Sequence, residues 1–462
     1  MVFFLCGSLT LFAQWQSIGK IDNSVTAFYA DTSTDKFYWG GPFHFFNQDT
    51  VVGIGVWNND TLLPMSCGIG WDCVNVSEGT GIGLTNCLIN YQGKLWVLGS
   101  FDKADNKPVN GIMYWDGAQW QGEGSGFKSL SNTEGIGFGA SVWNDTLLVY
   151  GAFDSIAGVL AHGLAKYDGF EWSSVHDLPQ FESYSSPNFV YGAILFKGEL
   201  YIAGNFTNAL TTGTINDMAK WNGTEWIGVG NLWEDAAIYN MLIYKDELYI
   251  SGDFNLLGEP VIAAHNIARF DGETWKTLGG GVDYQVNDMQ VFGDYLYIAG
   301  VFDNVDGMPI QAIARWDGSR WCGYNSAFDN SATAVGMYHD TLYLGGGFWS
   351  INGDTSLRKI VRWIGGDNLT QCGNPVGIND VFKDDFSFSI YPNPANDQLH
   401  LSFESPQQKT IATIANMIGE QLVIKSVDST DMVINISALP SGIYFLGIRT
   451  ERGFMMRKFM KL

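Results

Sequence analysis

Seven times between Gly41 and Phe348 the chain places a glycine, one variable residue and a phenylalanine at the end of an apolar run, as in LYIAGNF, LYISGDF and LYIAGVF. Phe43, Phe101, Phe153, Phe206, Phe254, Phe302 and Phe348 fall in register, 46 to 58 residues apart. Such a period marks one supersecondary unit copied along the chain, each copy burying its apolar faces against its neighbours. After each Phe an aromatic residue follows 14 to 16 positions on: Trp57, Trp115, Tyr167, Trp221, Phe270, Trp316 and Trp363. Five residues later, five copies carry Trp120, Trp172, Trp226, Trp275 or Trp321.

Between these last two aromatics lie Asp116-Gly117, Asp168-Gly169, Asn222-Gly223, Asp271-Gly272 and Asp317-Gly318, which read as two-residue type I′ turns. A second tight turn precedes the Gly-x-Phe strand, as in Gln92-Gly93, Asn144-Asp145, Lys197-Gly198, Lys245-Asp246, Gly293-Asp294 and His339-Asp340. Each copy is therefore a four-stranded antiparallel sheet, the blade of a β-propeller. The expected fold is all-β, a seven-bladed β-propeller followed by a small C-terminal β-sandwich. The seventh copy lacks the last Trp, while WQSIG at Trp15 matches WQGEG at Trp120 and WKTLG at Trp275. The N-terminal segment is thus expected to complete the last blade.

The repeats resemble the kelch-like and Rax2-type propeller repeats of secreted bacterial surface proteins, over residues 15–373. That resemblance implies a fold and is silent on activity. Past a linker at 374–386, residues 387–462 carry Tyr391, Pro392, Asn393 and Pro394, then Gly442 and Tyr444, and a basic end with Lys458 and Lys461. In this order they resemble the type A C-terminal sorting domain of the type IX secretion system. The resemblance implies that the secretion machinery is a partner. It also implies Bacteroidota-type export across the outer membrane, and release or attachment at the cell surface after the domain is removed. The alternating apolar strands of this module read as a sandwich of about seven strands.

Residues 1–14, MVFFLCGSLTLFAQ, read as a signal-peptide core, with Ala13 near the cleavage point. No Lys or Arg precedes Lys20, as expected if the start is truncated. No later run approaches the ~20 apolar residues of a membrane span. The formal net charge of −23 argues against nucleic acid or anionic membranes as partners. The C-terminal module holds seven basic and six acidic residues, so nearly all of that charge belongs to the repeats. A monomer is expected. Export leaves Cys67, Cys73, Cys87, Cys322 and Cys372, at most two disulfides and one thiol over. Cys322 and Cys372 follow consecutive blades, and Cys67 has Cys73 or Cys87 in reach.

No catalytic motif emerges. His44, His162, His176, His265, His339 and His400 are scattered, without H-x-H, H-E-x-x-H or C-x-x-C. Neither a G-x-S-x-G elbow nor a glycine loop leading into a helix is present. No cofactor is expected, with Ca²⁺ as the one ion that Asp303 and Asp306 suit. In a four-stranded blade the two tight turns share one face, and all long loops fall on the other, where variable loops usually bind. Trp71, Asp72, His176, Phe181, Tyr184, Trp233, Glu234, Asp235 and Tyr284 supply aromatic platforms beside carboxylates on that face. The leading expectation is a non-catalytic secreted or surface propeller binding a glycan, protein or surface polymer there. The alternatives are an extracellular carbohydrate-active hydrolase or lyase, and a purely structural surface scaffold.

Overall fold

The computed structural model describes residues 15–58, 60–69, 83–129, 134–175, 189–210, 213–230, 236–258, 261–366, 369, 371–373, 388–403, 410–415, 421–427, 429–450 and 453–462. The chain divides into two compact units, Met1–Pro375 and Val376–Leu462. Every element of the described residues is a β-strand.

The first unit repeats one antiparallel pattern seven times. In its fifth copy Ala237–Tyr244 pairs with Glu247–Asp253, which pairs with Ile267–Phe270, which pairs with Trp275–Thr277. The first strands of sheets I to VII are Ala27–Asp31, Leu84–Tyr91, Ile136–Trp143, Phe189–Phe196, Ala237–Tyr244, Val286–Phe292 and Ala332–Tyr338. Each lies beside the first strand of the next sheet, and that of sheet VII lies beside that of sheet I. Sheets III and IV are also continuous through one bridge, Ala152 to Phe189. Apolar side chains fill the space between neighbouring sheets: Tyr201, Ala203 and Met218 of sheet IV pack on Ile238, Leu248 and Ile250 of sheet V. Burial of each such large side chain contributes about 1.5–3 kcal/mol.

The Trp of the fourth strand has a specific task. Trp120 Nε1 donates to Met65 O (3.1 Å), Trp172 Nε1 to Glu123 Oε2 (3.0 Å) and Trp321 Nε1 to Leu278 O (2.9 Å), each partner lying in the segment that leaves the preceding sheet. Trp15 does the same for sheet VII. Trp15–Ser17 pairs with Ile360–Trp363 as its outer strand, and Trp15 Nε1 donates to Ser326 Oγ at 3.0 Å. At the exit, Gln371–Cys372 pairs with Trp321–Gly323 on the outer edge of sheet VI, fastened by the Cys322–Cys372 disulfide. Closing a loop of 50 residues stabilises by about 2–4 kcal/mol. Cys67 is also disulfide-bonded, whereas Cys87 is free, which removes Cys87 as its partner.

The turns differ from the expectation in one respect. The Asp-Gly and Asn-Gly pairs are not two-residue turns: Trp115 pairs with Trp120, leaving four residues between them. Gly117 is left-handed (φ 103°) but Asp116 is not. Its Oδ1 instead accepts the N–H groups of Ala118 and Gln119, both at 2.9 Å. Asp168, Asn222, Asp271 and Asp317 do likewise. The acidic or amide side chain is selected here for closing the loop through its oxygen, not for positive φ. True two-residue turns join the first and second strands: Asn144 and Asp145 have φ of 44° and 58°, Lys245 and Asp246 of 49° and 59°.

The second unit has two sheets. Phe388–Tyr391, Gln398–Phe403 and Asp431–Asn435 form one; Gln421–Val427, Thr410–Ala415, Gly442–Thr450 and Gly453–Lys461 form the other. Leu399, Leu401, Phe403 and Ile434 of the first share a core with Ile414, Leu446, Ile448 and Phe459 of the second.

Candidate functional site

The repeated glycine explains how the first unit builds its central cavity. A Cβ on Gly99, Gly151, Gly204 or Gly252 would overlap the carbonyl oxygen of Leu84, Ile136, Phe189 or Ala237 in the adjacent first strand. Those carbonyls approach closely because each first strand is bulged just after them, and only glycine leaves room. The register skips Asn86, Phe138, Tyr191, Tyr239, Asn287 and Thr333 in sheets II to VII. All six line one cavity of about 630 Å³, to which all seven first strands contribute. Thr26, just before the first strand of sheet I, lines it as well. The extra residue sits near the beginning of each first strand, toward the long-loop end of the cavity.

These six residues and Thr26 divide into two arcs. In one, the donor reaches the next sheet: Thr26 Oγ1 to Thr85 O (2.6 Å), Asn86 Nδ2 to Gly137 O (2.9 Å), Asn287 Nδ2 to Ala332 O (2.7 Å) and Thr333 Oγ1 to Val25 O (2.6 Å). These bonds cross the seams between sheets I and II, II and III, VI and VII, and VII and I. In the other arc the residues are aromatic. Phe138 stacks on Tyr191 with centroids 4.7 Å apart, and Tyr191 meets Tyr239 edge to face at 5.4 Å. All three rings are half-buried, neither enclosed nor fully exposed. The hydroxyls of Tyr191 and Tyr239 have no hydrogen-bond partner among the described residues.

Asp288 is the one carboxylate among the described lining residues, and no Lys or Arg is among them. It accepts from the Val335 N–H (2.9 Å) and from Gln290 Nε2 (3.1 Å). Burial outweighs these bonds and pushes its pKa up to about 6. Burial likewise pushes the Cys87 thiol up to about 11, which keeps it protonated and unreactive near neutrality. A glycosidase-type pair of carboxylates is therefore not assembled by the described residues of this cavity.

A second hollow, of about 710 Å³, lies at the tight-turn end between sheets VII and I. That end thus has more room than its short turns imply. Two of its charged groups already have partners, Arg362 on Asp60 (3.0 Å) and Gln16 (2.8 Å), and His339 on Asp35 (2.7 Å).

Of the residues singled out on the long-loop face, Trp71, Asp72, His176, Phe181, Tyr184, Trp233, Glu234 and Asp235 lie outside the described residues, as does the 1–14 segment. Tyr284 is described and is 62% exposed, in the crossing that leads into sheet VI. Asp303 and Asp306 are committed elsewhere: Asp303 Oδ1 accepts from Gln311 Nε2 (2.7 Å) and Asp306 Oδ1 from the Gly280 N–H (2.6 Å). No group of three or more potential metal ligands occurs among the described residues. Histidines are engaged singly, His44 with Asp22, His265 with Asn255, and His400 against Tyr391.

The bulged residues themselves escape a motif search because their identities differ. Their signal is positional, a constant offset of 13 residues before the glycine, from Asn86 before Gly99 to Thr333 before Gly346.

In the second unit Asn393 ties the Tyr391–Pro394 segment to the last strand: its Nδ2 donates to Lys458 O (3.1 Å) and its Oδ1 accepts the Met460 N–H (3.0 Å). Pro392 and Pro394 follow cis peptide bonds. Tyr444 is buried and stacks on Phe459 at 5.7 Å, with its hydroxyl on Pro440 O at 2.8 Å. Lys461 is buried with its Nζ on Leu462 O (2.8 Å), whereas Lys458 faces solvent. Gly442 has no crowded neighbour, since a Cβ there would meet only the Tyr444 ring at ordinary distance.

Among solved structures, the chain is similar to PorZ, described as an essential surface component of the type-IX secretion system of Porphyromonas gingivalis, at 13% identity and a TM-score of 0.41, covering 96% of this chain and 60% of that one. It is also similar to the extracellular domain of BT4673 from B. thetaiotaomicron, at 11% identity and a TM-score of 0.43, covering 97% of this chain and 59% of that one. The chain thus spans about 60% of the length of these structures. Neither is named as a kelch-repeat protein. The sequence matches no curated protein. Residues 389–461 match the family model described as a secretion system C-terminal sorting domain, so the second unit is a type IX sorting domain and the chain is exported across the outer membrane, to the cell surface or beyond it.

Proposed function

We propose that residues 15–373 form a seven-bladed β-propeller of kelch-like repeats, that 387–462 form a β-sandwich, and that the propeller is a monomeric, non-catalytic binding protein. It takes a glycan, a protein or a surface polymer at its long-loop end. Support for the ring comes from the neighbouring first strands of sheets VII and I and from the outer strand Trp15–Ser17. The observation that carries the binding reading is the bulge ring, which lines one cavity with half-buried aromatic rings on one side and amides and hydroxyls on the other. Such a mixture of apolar surface and few convergent polar groups suits ligand capture. That Asp288 is the one carboxylate among the described lining residues favours binding over hydrolysis.

The test applies the full chain to arrays of glycans, surface polymers and purified proteins, and assays bound glycans for new reducing ends. Binding without cleavage is expected, and the Lys245→Ala variant, altered at the tight-turn end, should retain it. Release of reducing ends would overturn the non-catalytic reading.

A further inference from the structure

The chemistry of the cavity narrows the ligand. Resting on the binding reading above, we propose that the cavity takes the terminal pyranose of an uncharged glycan, laid on the Phe138, Tyr191 and Tyr239 rings with its hydroxyls toward the amide and hydroxyl arc.

Three observations converge. The aromatic arc presents C–H-accepting ring surface, since the rings stay only half-buried after packing on one another. A sugar ring, apolar on its C–H faces and polar at its rim, is the ligand class that uses such a surface without demanding full burial. Opposite, the donors of Thr26 and Thr333 and one amide proton each of Asn86 and Asn287 are spent on backbone carbonyls of the next sheet. What remains toward the cavity is rich in acceptor lone pairs, amide oxygens and hydroxyl oxygens, joined by the two spare tyrosine hydroxyls. A ligand that donates many hydrogen bonds matches this wall, and sugar hydroxyls do so.

Charge excludes the acidic members of the class. The described lining holds Asp288 and no cation, and the whole chain has a formal net charge of −23, so a uronic acid or sulfate would be repelled and find no counter-ion. The volume of about 630 Å³ lies within the range of small-ligand sites and leaves room for a terminal ring with part of its neighbour.

The experiment titrates the full chain with cello-, malto- and manno-oligosaccharides and, in parallel, with oligogalacturonate and sulfated oligosaccharides, by calorimetry at two salt concentrations. At least one neutral series is expected to bind, with little salt dependence. Tyr191→Ala should weaken it about ten-fold or more, and Tyr239→Phe, which removes only a hydroxyl, by a smaller factor. Melting temperatures close to the wild type show that the variants fold. Binding confined to the acidic probes, lost on Tyr191→Ala, overturns the neutral-sugar assignment and leaves the cavity as the binding site. Neutral binding unchanged by both tyrosine substitutions overturns the assignment and the cavity together.

Discussion

The two arcs of the bulge ring occupy the same backbone position and do opposite things with it. In sheets VI, VII, I and II the residue there spends its donor on the neighbouring sheet, as Asn287 does on Ala332 O at 2.7 Å. In sheets III to V it is aromatic, and Tyr191 and Tyr239 keep their hydroxyls unpartnered among the described residues. The same glycine two residues before Phe makes room for both. The backbone device is therefore shared, while the side chain placed on it decides between holding the ring and offering a surface. In sheets III and V the tie across the seam comes from a neighbouring residue instead, Ser141 Oγ to Ala193 O (3.0 Å) and Asn240 Nδ2 to Val286 O (3.1 Å), which leaves the bulged position open to an aromatic ring.

The largest effects should come from the shared device. Gly252→Ala in the aromatic arc and Gly346→Ala in the polar arc each drive a Cβ into a backbone carbonyl, Ala237 O or Ser331 O. Each should cost about 3 kcal/mol in chemical denaturation. Gly347→Ala, where the nearest atom is 3.6 Å away, should cost far less. Sensitivity in one arc alone would break the claim that the bulge is common to both.

Next come the side chains. Asn287→Leu leaves the Ala332 carbonyl without its donor and should lower stability by about 1–3 kcal/mol, with a smaller effect on binding. Tyr191→Ala should do the reverse, since its ring lines the cavity and is only half-buried. Equal losses of stability in both variants would erase the distinction between the arcs.

A smaller effect depends on pH. Asp217 in sheet IV and Asn266 in sheet V take the same left-handed position, φ 57° and 59°, each accepting a backbone N–H, from Phe206 at 3.1 Å and Phe254 at 3.3 Å. Asn266 Nδ2 also donates to Val282 O at 2.9 Å. Burial pushes Asp217 up from 3.8 to about 7, so the folded state holds its proton more tightly than the unfolded chain does. Its contribution is full below about pH 4 and is lost as pH rises toward 7. Asp217→Asn should thus raise the melting temperature at pH 8 and leave it nearly unchanged near pH 3.5. A variant equally displaced at both pH values would show that the carboxyl is not the titrating group.

The smallest effect is expected at Tyr284, whose ring is 62% exposed. Tyr284→Ala should leave melting unchanged and alter glycan affinity by less than the Tyr191 substitution. A larger loss of affinity would move the binding surface from the cavity to the outer loops.

Much of the architecture was legible because it is periodic. The Gly-x-Phe register, the aromatic pairs and the W-x-x-x-G at Trp15 announced four strands per copy and the outer strand supplied from the N-terminus, and Trp15 pairs with Trp363 accordingly. The same periodicity misled at Asp116-Gly117, because one dipeptide serves two geometries: positive φ at both positions, or a carboxylate that accepts two N–H groups. The candidate site was read from loop aromatics, most of which lie outside the described residues. The cavity is not legible in the sequence, because Asn, Phe, Tyr and Thr at equivalent positions do not form a motif.

By itself, the sequence determined what local chemistry and repetition can specify: strand-length apolar runs, turn residues, the copy number, the acidic charge of the first unit and the ordered sorting motifs from Tyr391 to Lys461. Tertiary structure alone decided which residues meet. A bulge is a mismatch between two paired strands, so it exists only once they are in register. Its extra side chain acquires a role only when the neighbouring sheet supplies a carbonyl for Asn86 or an aromatic ring for Tyr191.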